Sequence, residues 1–189
     1  MKKLILFTLG ILIFNLTNAQ EIRIAENEID EFDGTRKIGT EYNAGKYFKL
    51  KDYIDVDGTL LIAAYYYKTK EGNEMYSISI VTKAKYLGCL SEYDGKCILL
   101  FEDGETLELA QISETQCGDF LYAIYEFYSR DQINDPALRD IALKNYEKII
   151  TTPVKKIRIY GTESTKDYTL KDDKKDIIIR HLKAINELK

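Results

Sequence analysis

Between residues 46 and 125 short apolar, β-branched and aromatic runs are separated by turn residues, and after residue 129 the pattern changes to helical spacing. Residues 46–56, 59–68, 75–83, 96–102 and 105–110 read as strands by this pattern. The punctuation between them agrees. Asp-Gly occurs at 33–34, 57–58, 94–95 and 103–104, and Glu71-Gly72-Asn73 supplies a fifth turn. An Asp-Gly pair tolerates the positive φ that a tight hairpin demands. Tyr65-Tyr66-Tyr67 and the runs 76–82 and 120–125 are rich in β-branched and aromatic residues, which suit a pleated, half-buried surface. Within 76–82, Tyr76, Ile78, Ile80 and Thr82 share one side while Ser77, Ser79 and Val81 share the other, which predicts one wet face.

Beyond Ser129 the signals are helical. Asp135-Pro136 offers an N-cap and a proline at the first helical position. Leu138, Ile141, Ala142, Tyr146 and Ile149 follow at helical spacing, and Pro153 ends the run. Residues 154–160 alternate again, with Ile157 and Ile159 on one face, and 168–170 is expected to pair with them. Asp172 or Asp173 is expected to cap a last helix with the stripe Ile178, Leu182, Ile185 and Leu188. His181 falls on the edge of that stripe and reads as a boundary histidine. Many strands, a helix, one or two strands and a helix define an α+β fold: a single domain, mainly antiparallel sheet built from hairpins, with two helices in the C-terminal third. With two prolines and no low-complexity tract, no boundary divides 20–189. Residues 20–31 are polar and are expected to form a poorly ordered leader.

The first nineteen residues change the picture of where the chain works. Lys2 and Lys3 precede an apolar run over 4–16, and Thr17-Asn18-Ala19 supplies small residues before a cut. That is the three-part pattern of a cleaved signal peptide. The run is shorter than the ~20 residues a membrane-spanning helix needs. No Cys stands at the cut to carry a lipid. The expectation is a periplasmic or secreted mature chain starting at Gln20, with no membrane span. Losing two lysines leaves 25 basic against 31 acidic residues, a formal charge of −6. Such a balance speaks against nucleic acid, whose phosphates demand a basic face, and equally against anionic lipid.

Export also bears on the three cysteines, Cys89, Cys97 and Cys117. In an oxidising compartment one disulfide and one spare thiol is the natural count. Cys89–Cys97 is the expected pairing, because the Asp94-Gly95 turn would bring the flanking strands together; Cys97–Cys117 is the alternative, as are three small buried hydrophobes. There is no CxxC, and the only histidine is far off at His181, so no zinc site is expected. Asp52, Asp55 and Asp57 hint at a calcium loop, but aligning Asp55, Asp57 and Gly58 to its positions 3, 5 and 6 places Tyr53 at the first ligand position and Ala64 at the twelfth, and both fail. No GxSxG, HExxH, P-loop or GxGxxG is present, so no cofactor, metal or catalytic residue is assigned.

The stretch Ile29-Asp30-Glu31-Phe32-Asp33-Gly34-Thr35 with Lys37-Ile38 resembles the opening of a group of small exported bacterial proteins of unknown function, which usually reads Asp-Glu-Phe-Thr-Gly; Asp33 departs from it. The runs 98–104 and 155–160 resemble that group's apolar strand before a Gly turn and its strand before the closing helix. The resemblance implies one sheet-rich domain and carries no activity.

Tyrosine is the remaining unusual feature: 15 Tyr and 7 Phe with no Trp. A stiff ring with a polar tip makes contact area at low entropic cost. Leu60, Ile62, Ala64 and Tyr66 form the more aliphatic row of their strand, which leaves Tyr65 and Tyr67 facing water or a second layer. The resulting expectation is a non-catalytic exported domain that binds a protein or glycan partner through a sheet face built around Tyr65, Tyr67 and Tyr76. A hydrolase using paired carboxylates on a cell-surface polymer is the alternative.

Overall fold

In a computed structural model of the chain, residues 22–42, 60–83, 86–129 and 136–189 are described. The signal-peptide reading, the 46–56 strand, the Asp52–Asp57 calcium reading with its Asp-Gly turn, and the Asp135 cap lie outside the described residues.

Short turns carry the chain into a nine-stranded antiparallel sheet. At the Glu71-Gly72-Asn73 turn, Gly72 has φ +88 and its amide donates to the Thr69 carbonyl, linking β3 (Leu60–Lys68) to β4 (Glu74–Lys83). At the Asp103-Gly104 turn, Asp103 Oδ1 accepts from the Glu105 amide, linking β6 (Lys96–Phe101) to β7 (Thr106–Gln111). A third hairpin joins β1 (Ile24–Ile29) to β2 (Arg36–Thr40), with Gly34 at φ +75 and Asp30 Oδ1 accepting from the Phe32 amide. Residues 24–29 are therefore an edge strand rather than a loose leader. β9 (Phe120–Ser129), β10 (Val154–Tyr160) and β11 (Thr165–Thr169) complete the order β1-β2-β3-β4-β9-β7-β6-β10-β11. Two helices, α1 (Pro136–Thr151) and α2 (Ile177–Asn186), lie on one face, and a 3-10 turn at Asp172–Lys174 precedes α2. The fold is α+β, as its pattern predicts.

One apolar core fills the space between sheet and helices. Ile62, Ala64 and Tyr66 of β3 stand opposite Ile80, Ile78 and Tyr76 of β4, and all are buried. Ile157 and Ile159 face the same core, as do Ile178, Leu182 and Ile185 of α2. The sheet coils around α2 strongly enough that the Thr82 hydroxyl of β4 meets the Tyr168 hydroxyl of β11, although β9, β7, β6 and β10 lie between them in the order.

That coiling accounts for several departures from the sequence pattern. Packed from more than one side, α2 buries Ile177, Ile179 and His181 beside its expected stripe. Asp172 and Asp173 sit in the 3-10 turn, and the residue at the N-cap of α2 is Asp176. On α1, Ala142 and Ile149 are buried but Ile141 is 53% exposed, so its apolar stripe is narrower than the spacing predicts. The outer row of β4 is not wet: Ser77, Ser79 and Val81 are buried, with the Tyr42 hydroxyl 2.7 Å from that of Ser79.

The expected Cys89–Cys97 disulfide is overturned. The bridge joins Cys89 to Cys117. Asp94-Gly95 does not connect paired strands; β5 (Cys89–Leu90) leaves the sheet and pairs instead with β8 (Gln116–Cys117), where the two cysteines stand opposite each other. Cys97 sits on β6 and points into the core with Leu99 and Phe101, fully buried, and burial pushes its thiol pKa up.

His181 is a core residue rather than a boundary one. Its Nδ1 lies 2.7 Å from Thr40 Oγ1, and that hydroxyl also accepts from the Ala64 amide and donates to the Ala64 carbonyl. The Nδ1 contact ties α2 to β2, and buried Nε2 has no partner among the described residues. Burial, with the neighbouring Arg180 charge, holds its pKa down to about 3. The unfolded chain, with a histidine pKa of about 6.5, binds a proton that the folded chain refuses. Stability from this group is thus complete above about pH 6.5 and falls as pH drops toward 3. We expect urea titrations to show a loss of about 2 kcal/mol at pH 5 relative to pH 7, and His181→Leu to flatten it. An equal loss in His181→Leu would place the proton uptake elsewhere.

Candidate functional site

Tyrosines fall on both faces of the sheet, and the alternation along β3 separates them. Tyr66 pairs with Tyr76 on the helix side, where the two rings lie 4.9 Å apart. Tyr76 also packs on Phe127 and Tyr146, and its hydroxyl donates to Asn186 Oδ1 at the end of α2. The Lys189 ammonium caps the cluster, 4.8 Å from the Tyr66 ring and 5.0 Å from that of Tyr76. Tyr76 is 2% exposed and joins the sheet to both helices. The structure does not bring it together with Tyr65 and Tyr67.

Tyr65 and Tyr67 occupy the other side, which neither helix covers. Their rings are 6.4 Å apart with an interplanar angle of 24°, and both are half-buried. Tyr65 leans over Gly39 on β2: a Cβ there would lie 2.7 Å from the Tyr65 ring and 2.5 Å from Glu26 Oε1. The glycine is what lets the ring lie flat against the neighbouring strand. Lys37, opposite Tyr67 in the β2–β3 register, holds its ammonium 5.6 Å from the Tyr65 ring and 5.7 Å from that of Tyr67. It is anchored by Glu26 at 3.0 Å. Sequence reasoning missed Lys37 and Glu26, because their meeting depends on the β1–β2–β3 register and leaves no local motif.

Electrostatics make this an uncharged aromatic surface with one ion pair across it. Burial, then the neighbouring Tyr42 and Tyr122 hydroxyls, push the Tyr65 pKa up; burial also raises Tyr67, partly offset by the Lys37 charge. Burial pulls the Lys37 ammonium down, but the Glu26 hydrogen bond and the charges around it more than offset this, leaving its pKa raised. Lys37 therefore stays charged at any physiological pH. Below the rings, the buried Ser77 hydroxyl, directly opposite Tyr65, lacks a hydrogen-bond partner among the described residues. The rings offer stacking area, and Lys37 and Glu26 offer directional polar contacts.

Among the described residues no group of three or more His, Cys, Asp or Glu is placed to hold a metal, and no helix is long and apolar enough to cross a membrane. The chain matches no protein-family model, no curated protein and no solved structure.

Proposed function

We propose that this is an exported, non-catalytic domain that binds a protein or glycan partner through the outer face of β2 and β3, with Tyr65, Tyr67, Lys37 and Glu26 making the contact. The observation that supports the reading best is the placement of Tyr65 and Tyr67 side by side, half-buried, on the sheet face opposite the two described helices, with one lysine spanning both rings. A few anchors, tyrosine prominent among them, dominate binding energies at interfaces, each worth about 2 kcal/mol or more. Export is inferred from the N-terminal pattern, and the Cys89–Cys117 bridge fits an oxidising compartment. The hydrolase reading gains nothing from the geometry. A general acid needs a carboxyl held high, whereas the described carboxylates with displaced pKa values, Asp33, Glu71, Asp103, Asp167 and Asp172, are all displaced downward.

The test is retention of a partner from envelope extract on immobilised protein, followed by titration with the purified partner. Tyr67→Ala is expected to weaken binding by roughly thirty-fold or more, as loss of an anchor of that size does, while the melting temperature stays within a few degrees. Gly39→Ala, which displaces the Tyr65 ring, is expected to weaken binding as well. Unchanged affinity in both variants would remove this face from the function.

A further inference from the structure

The coiling of the sheet brings its β11 edge toward the β3–β4 hairpin and leaves an open seam between them. β4 and β11 do not pair, and the Thr82–Tyr168 contact bridges them at one point, with Leu60 of β3 next to Thr82 in the register. Beside that contact lies a pocket of about 230 Å³, lined by Leu60 and Ile62 of β3, by Tyr168 and Leu170, by Lys174 of the 3-10 turn and by Ile177 of α2. Its walls reach the core itself, since Ile62 is 2% and Ile177 5% exposed. The space is far larger than the roughly 10–15 Å³ that one water needs, and an aliphatic lining offers water few partners. It is smaller than the ~300–1,000 Å³ of sites for drug-sized ligands.

Polar residues on the lining are few: Tyr168, Thr169 and Lys174. The Tyr168 hydroxyl is engaged by Thr82, so it contributes its ring and not its tip. The charged group is Lys174, whose ammonium is 3.7 Å from Asp173 Oδ2, at the outer limit of an ion pair, with a side chain 43% exposed. Its other neighbours in the turn do not compete for it: Asp172 is paired with Lys175 at 2.6 Å. An apolar slot with one loosely held ammonium selects a ligand with an apolar body and a single negative end.

We propose that this seam pocket binds a short-chain aliphatic carboxylate, its chain lying against Leu60, Ile62, Leu170 and Ile177 and its carboxylate meeting Lys174. Its β3 lining, Leu60 and Ile62, belongs to the core-facing row opposite Tyr65 and Tyr67, so the proposal does not depend on the tyrosine face. Each methylene buried is worth about 0.8 kcal/mol, or roughly four-fold in affinity. Binding should therefore tighten about four-fold per carbon along butanoate, pentanoate and hexanoate, then level off once the pocket is full.

Methyl-resolved NMR titration of the whole chain with these acids tests it, with hexan-1-ol and hexylamine as controls. The expected result is saturable shifts at the methyls of Ile62, Leu170 and Ile177, with hexanoate preferred over both controls. In Lys174→Gln, which keeps the apolar lining and removes the charge, the preference for hexanoate over hexanol should disappear while hexanol still binds. Leu170→Trp should fill the slot and abolish the shifts at Ile62 and Ile177, and Tyr67→Ala should leave hexanoate binding unchanged. Shifts centred elsewhere, an absence of saturable binding by all three acids at millimolar concentration, or an unaltered preference in Lys174→Gln would each overturn the proposal.

Discussion

Leu182→Ala should cost about 2–5 kcal/mol of folding free energy, read as a shift in the urea midpoint at constant slope. Leu182 sits at the middle of α2 with no exposed surface, between Ile178 and Ile185 on the stripe that meets the sheet. Truncating it removes the transfer free energy of the lost carbons and leaves a cavity that its neighbours cannot easily fill. They belong to a curled sheet whose β4 and β11 are tied by the Thr82–Tyr168 contact, so collapse around the gap is restricted. Against a typical domain stability of 5–15 kcal/mol this is a large fraction. Ile141→Ala on α1 is the matched control. The sequence pattern puts Ile141 on an apolar stripe, yet it is 53% exposed, and its truncation should change stability by no more than about 0.5 kcal/mol. Equal effects of the two variants would mean that the helices pack differently from the arrangement described.

What could be read in advance, and what could not, divides along the range of the interactions. The Gly72 and Gly104 turns were legible because a positive φ is a local demand met by a local residue. The stripe of α2 and the alternation of Ile157 and Ile159 were legible because one face of each meets the core. The row of Leu60, Ile62 and Tyr66 likewise identified the core side of β3, leaving Tyr65 and Tyr67 opposite. Tyr76 was misplaced beside them, because which face of β4 matches which face of β3 is set by pairing, and the register puts Tyr76 against Tyr66. β1 was missed because an edge strand can be almost wholly polar: its residues beyond Ile24 are mostly exposed, and charges on an edge discourage pairing with other chains. His181 looked peripheral on a helix packed from one side; the coiled sheet packs that helix more widely and buries it. The Lys37–Glu26 pair beside the tyrosines joins three strands and has no signature in the sequence at all.

The cysteines carry the same distinction into an experiment. A turn between Cys89 and Cys97 suggested a short bridge, whereas strand pairing between β5 and β8 sets a bridge with a sequence separation of 28. In the chain-entropy account, closing the longer loop constrains the unfolded state by about 3–4 kcal/mol, roughly 1 kcal/mol more than the shorter loop would. The bridge also anchors a docked segment: the Thr162 amide donates to the Cys89 carbonyl, the Cys89 amide donates to Thr162 Oγ1, and the Glu163 amide donates to the Leu87 carbonyl. These contacts fix the β5 loop onto the β10–β11 turn, so loss of the bridge should loosen that corner as well as lower global stability. The double variant Cys89→Ser, Cys117→Ser is therefore expected to lose about 3–4 kcal/mol in urea titration, and reductant should lower the wild type to the same level while leaving the variant unchanged. Thiol counting sharpens the result. Unreduced protein should show one reactive thiol in denaturant, Cys97, and scarcely any while folded, because that side chain is fully buried with its pKa raised and the thiolate is the reactive form. A peptide map linking Cys97 to either partner, or a double variant as stable as the wild type, would show that the β5–β8 pairing does not form the bridge.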